Sequence, residues 1–547
     1  MNKNLHLIFI AVAIAVLVLP TTCLKPTQAM TKTEKKSTDE IPLPPPLPID
    51  MIMEKSICRR MSVRAFTTET ITDEELSTIL WAAYGITDNG GRTIYSPTGA
   101  YSTVIYVIRS EATYKYNPQN HSLILFKTGN YLYLGMYDTA QIKFGLVWDK
   151  NILPDEKDGM AEIGMTGQNI YFDANALNLG TVTTGMSVED LYQLGLPSNE
   201  KPEIIMPLGH PSTAYDFTYT PLPPANLPAV QNNTMTLAES INNRHIVNTW
   251  NNSSLSLLEE SQLIWASYGY SYLIERVSHD RHRTLPSALD IYPFKVFAAN
   301  QTAVYQYVPA SHSLTTIVTG DRRVAIQDAV GATNISLAGA PWIILELLDT
   351  NLGQSQYQTF WYYETGAIAH NVLLEAGTLN LSSSVIMDIA DINGLRTALG
   401  IGSQTNLVPQ AVVGVGRQSL PSNHEPNQPQ LTGPSSGKPH VAYNYTIVTT
   451  DPDGDNVSYL IDWGDESTSD WIGPYPSGES IVQSHTWSKR GSYTVQAKAK
   501  DTHGAESTWA TLHVTMPYHH ALLLELLQWL CGRFPHAFPL IRYLLQL

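Results

Sequence analysis

An internal duplication constrains the folding of this chain more than any other feature of its 547 residues. Arg60 precedes Trp81 of a WAAYG stretch by the same interval that separates Arg244 from Trp265 of a WASYG stretch. Later, YKYNP followed by HSL in the first block matches YQYVP followed by HSL in the second, again with constant spacing. Because unrelated sequences do not stay in register over such distances, we infer two diverged copies of one folding unit. We call residues 51–217 copy one and residues 233–417 copy two.

Three segments rich in proline separate the copies from each other and from the rest of the chain. IPLPPPLPI lies in the first, residues 30–50, and TPLPPANLPAV lies in the second, residues 218–232. The third, residues 418–440, has the composition of a loop throughout. Such segments are typical of stiff or extended spacers. They leave a smaller third domain at residues 441–516 and a tail at residues 517–547.

The local patterns predict that each copy is an α+β domain. Thr72 and Glu75 have the spacing of a capping box, which begins a helix in copy one. Ser256 repeats this pattern in copy two, three residues before Glu259. Runs of branched and aromatic residues, such as residues 104–108, predict buried strands in both copies.

The composition excludes several classes of protein. Charged residues make up 15 % of the chain and hydrophobic residues 43 %, which excludes a disordered or coiled-coil protein. The net charge of −16 would repel a phosphate backbone, so we expect no nucleic-acid partner. Three cysteines cannot build a disulfide framework, and the Cys/His spacing of zinc sites is absent, so we predict no metal site.

The first 29 residues have the pattern of a secretory signal peptide. Lys3 precedes an apolar run over residues 7–19, and a stretch of small residues ends at Ala29. The alternative is a membrane anchor, but a spanning helix needs about 20 apolar residues and this run is shorter. We therefore expect an exported protein, either extracellular or on the cell surface.

One basic segment could bind a charged ligand. Arg60, Ser62 and Arg64 alternate along it, so in an extended conformation their side chains would project to one side. Two guanidinium groups and a hydroxyl suit a phosphate group, which accepts paired hydrogen bonds. A solvated basic loop is the alternative that these residues alone leave open.

The motifs of both copies, taken in order, resemble those of the nitroreductase superfamily of flavoproteins. The alternating segment at residues 60–66 looks like the N-terminal signature of that family. RTLPSA at residues 283–288 is similar to a segment of its SagB-type dehydrogenase branch. The resemblance covers about residues 51–210 and 236–417. It implies an α+β fold that dimerises around FMN, so that two copies in one chain would form an intramolecular pseudo-dimer.

The resemblance also implies that the two flavin sites are unequal. Copy one keeps the basic segment, but Tyr95-Ser96-Pro97 replaces the Pro-Ser-Ala sequence of the family. Copy two keeps Pro-Ser-Ala, but Ile246 and Asn248 replace the serine and the second arginine of the basic segment. No catalytic side chain is implied, because the flavin carries the redox chemistry. We therefore predict one composite FMN site, with these cofactor-binding residues: Arg60, Ser62, Arg64 and Gly185 of copy one, and Pro286, Ser287 and Ala288 of copy two.

The block at residues 441–516 closely resembles a PKD repeat, which is an Ig-like β-sandwich. Its DPDGD sequence, residues 451–455, lacks the glycine position of an EF-hand loop and predicts a turn, not a calcium site. The tail at residues 517–547 predicts one or two short amphipathic helices. These helices would either contact a membrane surface or dock on the protein itself.

Two functions from different classes are compatible with these features. The first is an exported FMN-dependent oxidoreductase of the nitroreductase or SagB-type dehydrogenase kind, acting on an unidentified small-molecule substrate or electron donor. The alternative is a catalytically inactive surface protein that uses the duplicated fold for binding or as a structural module. Scarcity of flavin outside the cytoplasm favours the second, whereas the complementary half-sites of the two copies favour the first.

Overall fold

The computed structural model describes residues 40–213, 226–251, 253–273, 281–418, 423–517, 521–534 and 543. The chain divides into two compact units, Met1–Gln418 and Ser419–Leu547. The first unit contains both copies, which therefore pack against each other. The predicted signal peptide, residues 1–29, lies outside the described residues.

Copy one is built on an antiparallel sheet of seven strands. Its strands are β1 Glu40–Pro42, β2 Thr103–Ile108, β3 Ala112–Asn117, β4 Ser122–Thr128, β5 Ile142–Asp149, β6 Gly180–Thr181 and β7 Glu200–Gly209. Its helices are α1 Met53–Arg59, α2 Asp73–Tyr84 and α3 Glu156–Ala176. The strand order is β1-β4-β3-β2-β5-β7-β6. This mixture of helices and sheet is the α+β architecture that the sequence predicts.

Copy two repeats six strands of this sheet and differs at both edges: among its described residues it has no strand in the place of β1, and it has an extra strand, β8 His245–Ile246, at the other edge. Its sheet strands are β8 His245–Ile246, β11 Phe294–Ala299, β12 Ala303–Val308, β13 Ser313–Thr319, β14 Trp342–Asp349, β15 Ser382–Ile386 and β16 Leu407–Gly416. A separate hairpin contains β9 Tyr270–Leu273 and β10 Arg281–Arg283. Its helices are α4 Leu237–Asn242, α5 Leu257–Tyr268, α6 Arg323–Val330, α7 Gln358–Thr378 and α8 Ile392–Ala398. The strand order is β13-β12-β11-β14-β16-β15-β8, and its first six strands match β4-β3-β2-β5-β7-β6 of copy one, which confirms the duplication.

The predicted capping boxes are both present. The Thr72 side chain accepts a hydrogen bond from the Glu75 backbone, and the Glu75 carboxylate accepts one in return, at the start of α2. Ser256 and Glu259 make the same reciprocal pair at the start of α5. Each box satisfies two amide groups that the first helical turn would otherwise leave unpaired.

Two long helices, α3 and α7, cross at glycines where the copies meet. A Cβ atom on Gly164 would lie 2.0 Å from the carbonyl oxygen of Tyr363. One on Gly366 would lie 2.0 Å from that of Ala161. The missing side chains therefore allow the two helix backbones to approach closely, and this crossing fixes the position of one copy against the other.

Part of the first predicted linker belongs to copy one. Strand β1 pairs with β4, and the Leu43 amide donates to the carbonyl of His121 at 3.0 Å. The His121 imidazole lies 2.6 Å from the hydroxyl of Ser77, which also donates to the carbonyl of Pro44. The described part of this predicted extended spacer, from residue 40 onward, therefore packs on copy one, because polar groups of copy one satisfy its backbone.

The end of the second predicted linker, residues 226–232, is attached to copy two in the same way. The Asn226 amide side chain exchanges two hydrogen bonds with the backbone of Leu314, at 2.6 and 2.8 Å. Ser261 donates to the carbonyl of Pro228 at 2.7 Å and lies 2.8 Å from the His312 imidazole. Each copy therefore includes the end of the proline-rich segment that precedes it.

The second unit contains a β-sandwich of one three-stranded and one four-stranded sheet. Its strands are β17 Gln430–Thr432, β18 Tyr443–Val448, β19 Val457–Asp462, β20 Ile472–Tyr475, β21 Ile481–His485, β22 Gly491–Asp501 and β23 Ala510–Met516. Tyr445, Trp463 and Trp487 pack edge to face in its core. Strand β17 pairs with β18, so the sandwich begins before residue 441, inside the segment predicted as a linker.

The tail forms one helix among its described residues, α9 Ala521–Arg533. Leu526 and Trp529 on this helix are 50 % and 62 % exposed, whereas Cys531 is buried. Across the described residues, no helix combines the length and apolarity required to cross a membrane. Contact of this tail with a membrane surface stays a prediction.

Candidate functional site between the copies

The basic segment of copy one lies beside strand β6. Ser62 forms an isolated parallel bridge with Thr181, and the Val63 amide donates to the Thr181 carbonyl at 2.8 Å. The segment is therefore extended, as its alternating pattern predicts. The exposure of its polar side chains differs: Arg60 is buried, Ser62 is half-buried and Arg64 is exposed.

Arg60 points from copy one into copy two. Its side chain is 2 % exposed, and its Nη2 donates to the carbonyl of Arg283 at 3.4 Å. The guanidinium carbon lies 5.2 Å from the ring centroid of Tyr171. Nε and Nη1 have no hydrogen-bond partner among the described residues. An unpaired buried donor costs about 1–3 kcal/mol, and more when it is charged, so this position calls for an acceptor.

Ser62 and Arg64 complete a cationic surface beside Arg60. The Ser62 hydroxyl lies 3.1 Å from the Tyr171 hydroxyl, which accepts a hydrogen bond from the Thr183 amide at 2.7 Å. His282 of copy two faces the same surface. Burial, together with the positive charges of Arg60 and Arg64, lowers the pKa of His282 to about 4. The imidazole is therefore neutral near pH 7, and the two guanidinium groups supply the charge of the site.

Gly185 lies directly against the first turns of α7. A Cβ atom at this position would lie 2.1 Å from Cε1 of Phe360 in copy two. Next to it, the Thr183 hydroxyl lies 3.1 Å from the Tyr363 hydroxyl, also in copy two. The predicted glycine of copy one therefore belongs to the contact between the copies, where any larger residue would collide.

The Pro-Ser-Ala segment is held by a buried carboxyl group of copy two. The Ser287 hydroxyl donates to Glu364 at 2.8 Å and accepts a hydrogen bond from the Tyr292 amide at 2.9 Å. Tyr268 donates to the other oxygen of Glu364 at 2.9 Å. Ser287 thus fixes the short 3-10 turn Ala288–Asp290. Burial raises the pKa of Glu364 to about 8.

The predicted residues of the two copies meet chiefly through Arg60. Its contact with Arg283 places it next to the segment that contains Pro286, Ser287 and Ala288. Burial raises the pKa of Tyr292 to about 12, although the nearby charge of Arg60 opposes this shift. Among the described residues, no hydrogen bond joins Pro286, Ser287 or Ala288 to Ser62, Arg64 or Gly185.

Comparison with known protein families now identifies the duplicated unit. The nitroreductase family matches residues 57–210 and again residues 241–417. The chain belongs to the nitroreductase family. Members of this family are oxidoreductases, so the chain is an oxidoreductase by family. The PKD domain matches residues 432–514, which confirms the prediction for the β-sandwich.

Individual proteins similar to this nitroreductase-family chain agree with that assignment. A protein of Methanocaldococcus jannaschii, provisionally named a nitroreductase, is 32 % identical over 178 residues, which is 29 % of this chain and 90 % of that protein. The PKD domain of an M14-like peptidase from Thermoplasmatales archaeon SCGC AB-540-F20 is 58 % identical, covering 18 % of this chain and all of that domain, with a TM-score of 0.18.

One solved structure matches both copies at once. The crystal structure of a provisionally named nitroreductase from Anabaena variabilis has a TM-score of 0.53 and 16 % identity. It covers 73 % of this chain and 98 % of its own. Because neither copy alone is that long, the similarity of fold extends over both copies.

The residues of the composite site fit the phosphate end of a flavin nucleotide. Two buried nitrogens of Arg60, Nε and Nη1, have no partner among the described residues, and Arg64 adds a second, exposed guanidinium. Both donate to anions, and Ser62 can do the same. In the same site, Gly185 has no side chain and so allows Phe360 of copy two to pack against it.

The duplication creates a second site, related to the composite site by exchange of the two copies, which we call the opposite site. Its residues and their hydrogen bonds differ from those of the composite site. It comprises Arg244, Ile246, Asn248 and Met387 of copy two with residues 92–97 of copy one. Arg244 corresponds to Arg60, yet its Nη2 donates to the carbonyls of Arg92 and Ile94 at 2.6 and 2.9 Å. The second arginine is therefore committed to backbone carbonyls, as a structural contact.

Several residues that shape these sites were missed by sequence reasoning. Tyr171, Tyr363 and Glu364 all lie on α3 or α7 and are buried in the contact between the copies. On the sequence they look like ordinary core positions of amphipathic helices. The register between the copies could have identified Glu364, because its counterpart Glu162 is also an acidic residue within a buried helix.

Proposed function

We propose that this chain is an exported FMN-dependent oxidoreductase that binds one FMN in the composite site. The observation that carries the proposal is the difference between two arginines of the same ancestry. Arg60 is buried, makes one long hydrogen bond of 3.4 Å and leaves two nitrogens, Nε and Nη1, without a partner among the described residues, whereas Nη2 of Arg244 makes two shorter bonds to backbone carbonyls. Arg60 therefore keeps Nε and Nη1 for a phosphate, whereas Arg244 keeps only Nε among its buried nitrogens without a partner in the described residues.

The residues of the site would have separate roles in such an enzyme. Arg60, Ser62 and Arg64 would hold the phosphate, and Gly185 would let Phe360 of copy two pack closely against copy one beside the flavin. Bound FMN would supply hydride and electron transfer between a donor and an acceptor. Glu364 would act indirectly, since its carboxyl group fixes Ser287 and through it the turn of copy two that faces Arg60.

The substrate would be a small molecule, and the SagB-type branch is the subgroup we favour. This choice is supported by RTLPSA at residues 283–288 followed by Tyr292-Pro293. The PKD domain supports an extracellular location, since such domains are typical of extracellular proteins. Residues 1–29 support export because they have the pattern of a secretory signal peptide.

A matched pair of variants tests the proposal. The mature chain is incubated with FMN, freed of unbound flavin and examined by visible absorption. We expect Arg60→Gln to weaken FMN binding at least about tenfold, because a charge-assisted hydrogen bond contributes about 1.5–3 kcal/mol. Arg244→Gln is the control, since Arg244 is the equivalent residue of the opposite site and its Nη2 is bonded to the carbonyls of Arg92 and Ile94.

The outcomes separate the two functions. Flavin retained by the wild type and by Arg244→Gln, but lost by Arg60→Gln, supports the oxidoreductase. A folded wild-type chain that retains no flavin contradicts it and leaves the inactive binding or structural protein. Equal loss in both variants would show that the composite site does not hold the phosphate.

A further inference from the structure

The opposite site contains a contact that has no counterpart in the composite site. The backbone frames are equivalent, because the Val247 amide donates to the Ser383 carbonyl at 3.1 Å just as Val63 donates to Thr181. Counting from these pairs, Met387 occupies the position of Gly185. Gly185, which packs against Phe360 in the composite site, is therefore replaced by a buried methionine in the opposite site.

A lysine of copy one binds this position. Lys157, in the first turn of α3, donates from Nζ to the carbonyl of Met387 at 2.6 Å. Its counterpart at the start of α7 is Thr359, next to the Phe360 that packs on Gly185. The composite site therefore has a short neutral side chain where the opposite site has a long cation bound across the contact between the copies.

Acidic groups surround the Lys157 ammonium. Burial lowers the pKa of Lys157, whereas the carboxyl groups of Asp158, Asp388, Asp155 and Glu346 oppose that shift. Asp158 is only 4 % exposed, and one of its oxygens lacks a hydrogen-bond partner among the described residues. These charges make the position more favourable for a fixed cation than for a second anionic ligand.

From this contact we propose that Lys157 closes the opposite site to flavin by binding the Met387 carbonyl where Gly185 stands in the composite site. The inference rests on the proposed function and deepens it: the chain binds one FMN because a residue of copy one occupies the second position. The opposite site would then lack phosphate-binding residues at positions 246 and 248, and the Lys157 side chain would also block it.

Restoring the opposite site tests whether Lys157 is that barrier. A first variant copies the composite site into the opposite site through Ile246→Ser, Asn248→Arg and Met387→Gly in copy two and Tyr95→Pro and Pro97→Ala in copy one. A second variant adds Lys157→Thr, the residue of the composite site. FMN per chain is measured by absorption after removal of free flavin, and thermal unfolding of the flavin-free chains reports the contact itself.

We expect one FMN in the wild type, one in the first variant and about two in the second. We also expect Lys157→Thr alone to lower the melting temperature of the flavin-free chain while leaving one FMN bound. If Lys157→Thr does not fold in these backgrounds, Lys157→Gln removes the charge with less loss of volume and carries the same expectations.

Each contrary result has a distinct meaning. Two FMN in the first variant, or one FMN in a folded second variant, overturns the role of Lys157 and leaves the proposed function intact. No FMN in the wild type overturns the proposed function. If the wild type binds no FMN but the second variant binds one, the proposed function fails while the role of Lys157 in closing the opposite site is supported.

Discussion

Arg60 and Arg244 show how two residues of one origin acquire different roles. Each crosses from its own copy to the backbone of the other, but Arg244 makes two short hydrogen bonds and Arg60 makes one long one. The difference lies in the partner segments, which have diverged around Tyr95 and Pro286. The motif predicted the arginine, and the partner copy decides whether it is free to bind a ligand.

Glu364 gives a prediction for the pH dependence of stability. Its pKa is raised from 4.5 to about 8 in the folded chain. The native state therefore keeps a proton that the unfolded chain releases, so stability falls as pH rises between these values. One such proton changes the free energy of unfolding by about 1.4 kcal/mol per pH unit.

We expect Glu364→Gln to reduce this fall in stability between pH 4.5 and 8, because glutamine does not titrate. Urea unfolding of the flavin-free chain at several pH values measures the effect. An unchanged slope in the variant would show that the Glu364 carboxyl group is already ionised in the native state at the lower end of the range.

At the scale of elements, the crossing of α3 and α7 determines whether the copies stay together. Gly164→Ala and Gly366→Ala would each place a methyl group within the partner backbone. We expect each to destabilise the first unit by about 1–3 kcal/mol or more, since overpacking forces the backbones apart. Thermal unfolding measures this, with Gly402→Ala as the control, because its Cβ would make only an ordinary contact. Equal melting temperatures for all three variants would contradict the account of the crossing.

The helices and strands were more predictable than the segments between them. Capping boxes and buried strands are local patterns, so Thr72 and Ser256 marked helix starts correctly. The ends of the two proline-rich segments before the copies were predicted as spacers because stretches such as IPLPPPLPI have the composition of a spacer. The attachment of IPLPPPLPI depends on Ser77 and His121, which are distant in sequence, and no local pattern reports such contacts.

At the scale of the whole molecule, duplication permits asymmetry. A homodimer must build two identical sites, whereas two copies in one chain can diverge independently. The sequence predicted which half-site each copy retains. It could not predict that Lys157 would bind Met387, because that contact joins positions on different copies and follows no motif.

The division into two units gives a further prediction. All residues of the composite site lie within Met1–Gln418, and the PKD domain lies in the other unit. We therefore expect a chain that ends at residue 418 to bind FMN with the affinity of the full chain. Calorimetric titration of both forms measures this, and a marked loss in the shortened chain would show that the second unit contributes to binding.

The number of FMN molecules bound per chain tests the central claim most directly. Native mass spectrometry of the wild-type chain, after equilibration with excess FMN, counts bound flavin on each molecule without assuming an activity. The composite site predicts a single population with one FMN, because Arg60 leaves Nε and Nη1 without a partner among the described residues, whereas Arg244 leaves only Nε among its buried nitrogens and makes two short bonds to carbonyls. Two FMN per chain would contradict the asymmetry of the sites, and none would contradict flavin binding itself.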